Sequence, residues 1–119
     1  VVGGGAWSGP VRISPTGIAR PGAPVAASNQ FGIPNQTDVF FVDTAGALNV
    51  AWVVGGGKWG GPGRIGAVGV APSGATVAAS NQFGIGNQTD VFLIDRTGAL
   101  NVAWVNAAGA WHGPVPIGD

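Results

Sequence analysis

Cysteine, methionine, tyrosine and glutamate are absent from the 119 residues, and charged residues make up only 8% of them. Without cysteine there is no disulfide framework and no thiolate metal site, and the redox compartment is left open. A single histidine, His112, excludes a multi-histidine metal centre within one chain. The basic residues are few and scattered: Arg12, Arg20, Lys58, Arg64 and Arg96. With a formal net charge of zero and no basic patch, a phosphate-tracking nucleic-acid surface is not expected. No apolar run reaches the 18 or so residues of a spanning helix, so no membrane span is expected. The opening VVGGGAW has no charged region followed by an apolar core, so no secretory signal is expected in this chain.

What the chain does have is glycine, proline and apolar residues. Glycine (23) and proline (9) together account for 32 of 119 positions, a level at which disorder has to be weighed. The 45% hydrophobic content, with five Trp and five Phe, argues against it. Apolar runs punctuated by glycine and proline are the pattern of short strands joined by tight turns. No window free of these breakers is long enough for an amphipathic helix.

The dominant feature is an internal repeat of 52 residues. ASNQFGIPNQTDVF at 27–40 returns as ASNQFGIGNQTDVF at 79–92. Trp7 aligns with Trp59 and Trp111, and Trp52 with Trp104. Residues 1–67 laid on 53–119 leave 23 mismatches in 67 pairs, and 25–53 on 77–105 only five in 29. Each unit reads as four strands, in the first at 25–31, 37–43, 48–54 and 58–65. The expected organisation is a partial unit at 1–24, a first blade at 25–66, a linker at 67–76 and a second blade at 77–119. In 37–43, Val39 and Phe41 alternate with Phe40 and Val42, so both faces of this strand are apolar and both should be covered. The first strand carries small residues (Ala26, Ala27, Ser28), as suits a crowded place. These traits fit a β-propeller blade, whose middle strands are buried on both faces and whose inner strands crowd the axis. The expected fold is all-β, with two four-stranded propeller blades per chain and a ring completed by homo-oligomerisation. The segment 7–13 adds a ninth strand, which either pairs with a neighbouring subunit or stays unpaired.

WD and Kelch repeats do not fit. No WD dipeptide or Gly-His marker accompanies Trp52 and Trp104, and Kelch needs a tyrosine that is missing. NQFGIPNQTDVFFVD, GALNVAWV and GGGKWGGP at fixed spacing instead resemble the blades of sugar-binding propellers typified by the Photorhabdus fucose-binding lectins, with the Psathyrella velutina lectin more distant. The resemblance covers essentially the whole chain. It implies a multivalent lectin for fucose, related or methylated sugars, or N-acetylglucosamine, with sites between blades and no cofactor. Relatives of that kind carry about seven blades in one chain. Two blades here point to a fragment or an engineered minimal unit.

The expected sugar contacts are Asn35, Gln36, Thr37 and Asp38 with Trp59, then Asn87, Gln88, Thr89 and Asp90 with Trp111, and Trp7 heading the partial unit. Amides and carboxylates match sugar hydroxyls, and an indole packs on the C–H face. The competing interpretation is structural, since Asn, Asp and Gly are turn formers and NQTD could simply close a turn. Trp52 and Trp104 sit mid-strand and read as packing. Arg64, replaced by Pro116 in the next unit, reads as solvated. Catalysis is not expected. Asp38 and Asp43 lie at opposite ends of one strand, and identical repeats do not split acid and base roles. The alternative function is a propeller-assembly module without significant sugar binding.

Overall fold

A computed structural model describes residues 3–30, 33–82 and 84–118. It contains eight strands and, among the described residues, no helix. The strands are β1 (Ala26–Asn29), β2 (Gln36–Val42), β3 (Leu48–Val54), β4 (Gly60–Ile65), β5 (Val77–Asn81), β6 (Gln88–Ile94), β7 (Leu100–Asn106) and β8 (His112–Pro116). They form two antiparallel four-stranded meanders, β1-β2-β3-β4 and β5-β6-β7-β8. The all-β expectation and the four strands per repeat hold. The first strand is shorter than 25–31, and Phe31 at its expected end lies outside the described residues, as does Asp119 at the C-terminus.

The turns follow from the polar residues at their corners. Asp43 closes the β2–β3 turn: its Oδ1 accepts from Ala45 N at 2.9 Å and Ala47 N at 3.0 Å. Asp95 repeats this between β6 and β7, accepting from Thr97 N and Ala99 N, both at 2.9 Å. Gly46, third in the turn after Asp43, has φ +77°, and a Cβ there would collide with Ala71 O of the linker. Asn35 and Asn87 take left-handed backbone (φ 62° and 66°), the conformation that asparagine tolerates best after glycine.

Register assigns the faces. Asp38, Phe40 and Val42 stand opposite Trp52, Val50 and Leu48, so these six share one face of the first sheet, called the front here. Phe40, Val42, Leu48, Val50 and Ile65 pack against Ala71, Val77, Val91, Leu93 and Ala103. Val91, Leu93 and Ala103 align with Val39, Phe41 and Ala51, which lie on the back. The front of the first sheet is therefore covered by the back of the second. Burying a side chain such as Phe40 or Leu48 in this layer contributes about 1.5–3 kcal/mol. The inner strands β1 and β5 approach closely enough for Asn81 Nδ2 to donate to Asn29 O at 3.4 Å, which explains their small residues.

Within the chain the segment stays unpaired: residues 7–13 form no strand among the described residues, and Trp7 and Val11 are 83% and 79% exposed. The position that the repeat assigns to this strand is the outer edge of a preceding sheet, and β4 already holds the outer edge of the first. Residues 13–25 instead run over the back of the first sheet, where they enclose an apolar cleft of about 280 Å³ with Val39, Phe41 and Ala51.

Candidate functional site

A cavity of about 380 Å³ opens where the two sheets meet. The first sheet and its β1–β2 turn supply Gln30, Ile33, Gln36, Asp38, Val50, Trp52, Gly63, Arg64 and Ile65; the second repeat supplies Ala108 and Trp111. Strand alternation puts Gln36 and Asp38 on the same front face as Phe40, and Trp52 directly across from Asp38. Trp111 reaches over from the second repeat and meets Phe40 edge-to-face, with centroids 5.6 Å apart at 77°.

A hydrogen-bonded chain fixes the polar wall. Gln36 Nε2 donates to Gln30 Oε1 and to Asp38 Oδ1, both at 2.9 Å. Gln30 Nε2 donates across the sheets to Ala107 O. Asp38 is fully buried, and its Oδ2 has no hydrogen-bond partner among the described residues. Such an orphaned acceptor costs about 1–3 kcal/mol unless something donates to it. Burial pushes the Asp38 carboxyl above its ordinary value, and the Gln36 hydrogen bond offsets only part of this. Away from this wall, Arg64 pairs with Asn49 on the other face of the sheet, and its Nε binds Asp43 Oδ2 at 3.0 Å, which ties the guanidinium to the β2–β3 turn.

The second repeat rebuilds the same chain without the opposing sheet. Gln88 Nε2 donates to Gln82 Oε1 at 2.8 Å and Asp90 Oδ1 at 2.9 Å, and Asn106 Nδ2 donates to Gln88 Oε1 at 3.2 Å. Among the described residues no third sheet covers the front of the second. Ile94 and Leu100 on that face are 50% and 44% exposed, whereas their counterparts Val42 and Leu48 are buried.

The expected contacts divide accordingly. Gln36 and Asp38 line the cavity, and Trp111 does so opposite the first repeat's carboxylate, not its own repeat's Asp90. Trp59 does not line this cavity: it precedes Gly60, which stands opposite Trp52 on the front, so it falls on the back of the first sheet, where it is exposed. Trp7, one repeat earlier still, is solvent-exposed. Asn35 and Asn87 are turn residues whose carbonyls accept from Gly55 N at 2.8 Å and Ala107 N at 2.6 Å. Thr37 lies on the back of the first sheet, and Thr89 is buried in the layer between the sheets. Gln88 and Asp90 keep their mutual bond on the uncovered front.

Gln30, Trp52 and Arg64 belong to the cavity although the sequence reading gave them no firm place in it. For Trp52 the signal was available: it sits an even number of residues from Val50 and Leu48, and antiparallel pairing sets it opposite Asp38. Among the described residues no group of three or more His, Cys, Asp or Glu side chains could hold a metal ion.

No protein-family model matches the chain, and no curated protein matches it. Among solved structures, the crystal structure of the BP39L lectin from Burkholderia pseudomallei superposes with a TM-score of 0.98 at 65% identity. The match covers 100% of this chain and 33% of that one, so the chain spans about a third of that lectin's length. The chain is thus similar, over its whole length, to part of a lectin.

Proposed function

We propose that the protein is a carbohydrate-binding lectin whose sites lie between adjacent four-stranded propeller blades. The observation that carries this is the cavity itself, whose lining sets Asp38, with a buried Oδ2 that lacks a hydrogen-bond partner among the described residues, between Trp52 and Trp111. A small side-chain shift that opens the carboxylate to the cavity lets a sugar hydroxyl donate to it. The Gln30–Gln36 chain holds the carboxylate in place, and the tryptophans take the apolar C–H face. The volume is at the small end for ligand pockets and suits a monosaccharide. The 65% identical lectin supports this class of ligand. The motif resemblance orders the candidates as fucose or methylated sugars first and N-acetylglucosamine second.

The reading is non-catalytic. A glycosidase sets two carboxyl groups across one bond, and Asp38 is the one carboxylate among the residues that line this cavity. Multivalency follows from repetition, since each weak site gains from its neighbours. The exposed front of the second sheet and the back of the first are the same pair of surfaces that already pack within the chain. Copies of the chain joined front to back would close a ring. A second copy's Trp59 would then face Asp90 as Trp111 faces Asp38 here.

The alternative, a structural module, is favoured by Asn35, Asn87 and Thr89, which serve turns and packing. Calorimetry with methyl α-L-fucoside and methyl β-N-acetylglucosaminide on wild type and Asp38→Asn separates the two. The lectin reading expects binding that Asp38→Asn weakens at least about tenfold, about 1.4 kcal/mol, with the fold retained. Equal binding by both proteins would refute this site.

A further inference from the structure

The two β-sheet tryptophans that repeat at 52 residues are held differently. Trp52 stands opposite Gly60 on β4, and Trp104 opposite His112 on β8. A Cβ added at Gly60 would lie 2.5 Å from Trp52 Cε2 and 2.7 Å from its Cζ2 and Nε1; at Gly61 it would lie 2.8 Å from Cζ3. The indole of Trp52 therefore rests on the bare backbone of two glycines, in a pose that no side chain at 60 allows. In the second repeat His112 fills that place, and its imidazole stacks on Trp104 with centroids 5.2 Å apart and planes at 19°. The atoms nearest a Cβ at Gly113 are backbone (Val102 O, Val115 N and Ala103 Cα). The Trp104 indole is no longer the first thing that glycine meets.

We infer that position 60/112 determines specificity: Gly60 lets Trp52 lie down as an open wall of the sugar cavity, and His112 covers Trp104 with an imidazole. The inference rests on the carbohydrate reading above and adds that the two repeats are unequal. The first repeat offers a bare indole to the C–H face of a neutral sugar. The second offers an indole stacked on one face by an imidazole, whose nitrogens add polar groups beside it. A chain with near-identical repeats thus presents two ligand preferences instead of one preference twice.

The test moves the histidine. Gly60→His is compatible with the local backbone, because β8 carries histidine at the matching place and Gly60 lacks the left-handed φ of Gly61. Two readouts are taken. The first, by NMR without sugar, is the ring-current shift of glycine α protons. Gly61 should be shifted upfield in the wild type and Gly113 much less. Gly60→His should abolish the Gly61 shift, and His112→Gly should create one at Gly113. The second is affinity for methyl α-L-fucoside and methyl β-N-acetylglucosaminide, which Gly60→His should weaken about tenfold at the first-repeat cavity. An unchanged Gly61 shift, or a lost shift with unchanged affinity, overturns the inference. A wild type that takes up neither sugar while the α-proton pattern holds would sink the carbohydrate reading and uphold position 60/112 as what sets the tryptophan's pose.

Discussion

Asp38 and Asp43 are five residues apart on one strand and its turn, and their surroundings drive them in opposite directions. Asp38 is raised by burial, so its ionised form is disfavoured in the fold. Its folded value exceeds its unfolded one, and the stability linked to its proton is present at low pH and lost as pH rises through the folded value. Asp38→Asn removes that ionisation, so the midpoint of thermal unfolding at pH 7 should be unchanged or higher even as sugar binding falls. Sugar binding runs the other way. A hydroxyl donates best to a carboxylate, so affinity should decline as pH is lowered toward and through the raised Asp38 value, starting above the ordinary 3.8. Calorimetry from pH 7 down to pH 3, below the ordinary carboxylate value, reads this; a flat profile over that whole range would remove Asp38 from the contact. The place of Asp38 on the front face was legible in the sequence from strand parity. Its orphaned oxygen was not, because whether a donor reaches a buried carboxylate is set by packing that strand parity does not describe.

At the scale of the element, the turns after β2 and β6 are anchored by their aspartates. Burial alone would raise Asp43, but hydrogen bonds from Ala47, Arg64, Asn49 and Ala45 outweigh it and hold the carboxyl below its ordinary value. Asp95 is held at about 2 by Thr97, Ala99 and Asn101. Both folded values lie below the unfolded ones. The stability they contribute is complete above about pH 4 and is lost as pH falls through the folded values. The Arg64 side chain is half exposed, so the ion pair itself is worth at most about 1 kcal/mol. The buried hydrogen bonds of Asp43 carry more, and Asp43→Ala should destabilise the chain by about 3 kcal/mol in urea unfolding. A loss under 0.5 kcal/mol would mean the turn closes without it. The strands were legible from alternation and breakers, and the 52-residue period supplied their spacing. The segment 7–13 shows the limit: its residues match β4 and β8, yet a strand exists only where a neighbour offers its edge. The same limit hid the partner of Trp59, since strand order within a sheet does not say which neighbouring sheet an outer residue faces.

For the whole molecule, front-to-back packing is the organising fact. The layer between the sheets holds the core, the cavity sits at one end of that layer, and the uncovered front of the second sheet repeats the covered front of the first. Repetition makes this layering readable in the sequence, because both faces of the central strands are apolar. The division of the cavity between two repeats was readable only in part. The expected residue types were present, but one tryptophan had to be assigned to the neighbouring repeat. The measurement that tests the account most directly is native mass spectrometry of the chain with and without methyl α-L-fucoside. A closed ring with sites between blades should give one oligomer that gains several sugar masses, up to two per chain, and Asp38→Asn should keep the oligomer and lose only the first-repeat adducts, leaving at most one per chain. A monomer that carries no sugar at millimolar ligand would contradict both the ring and the site between its blades.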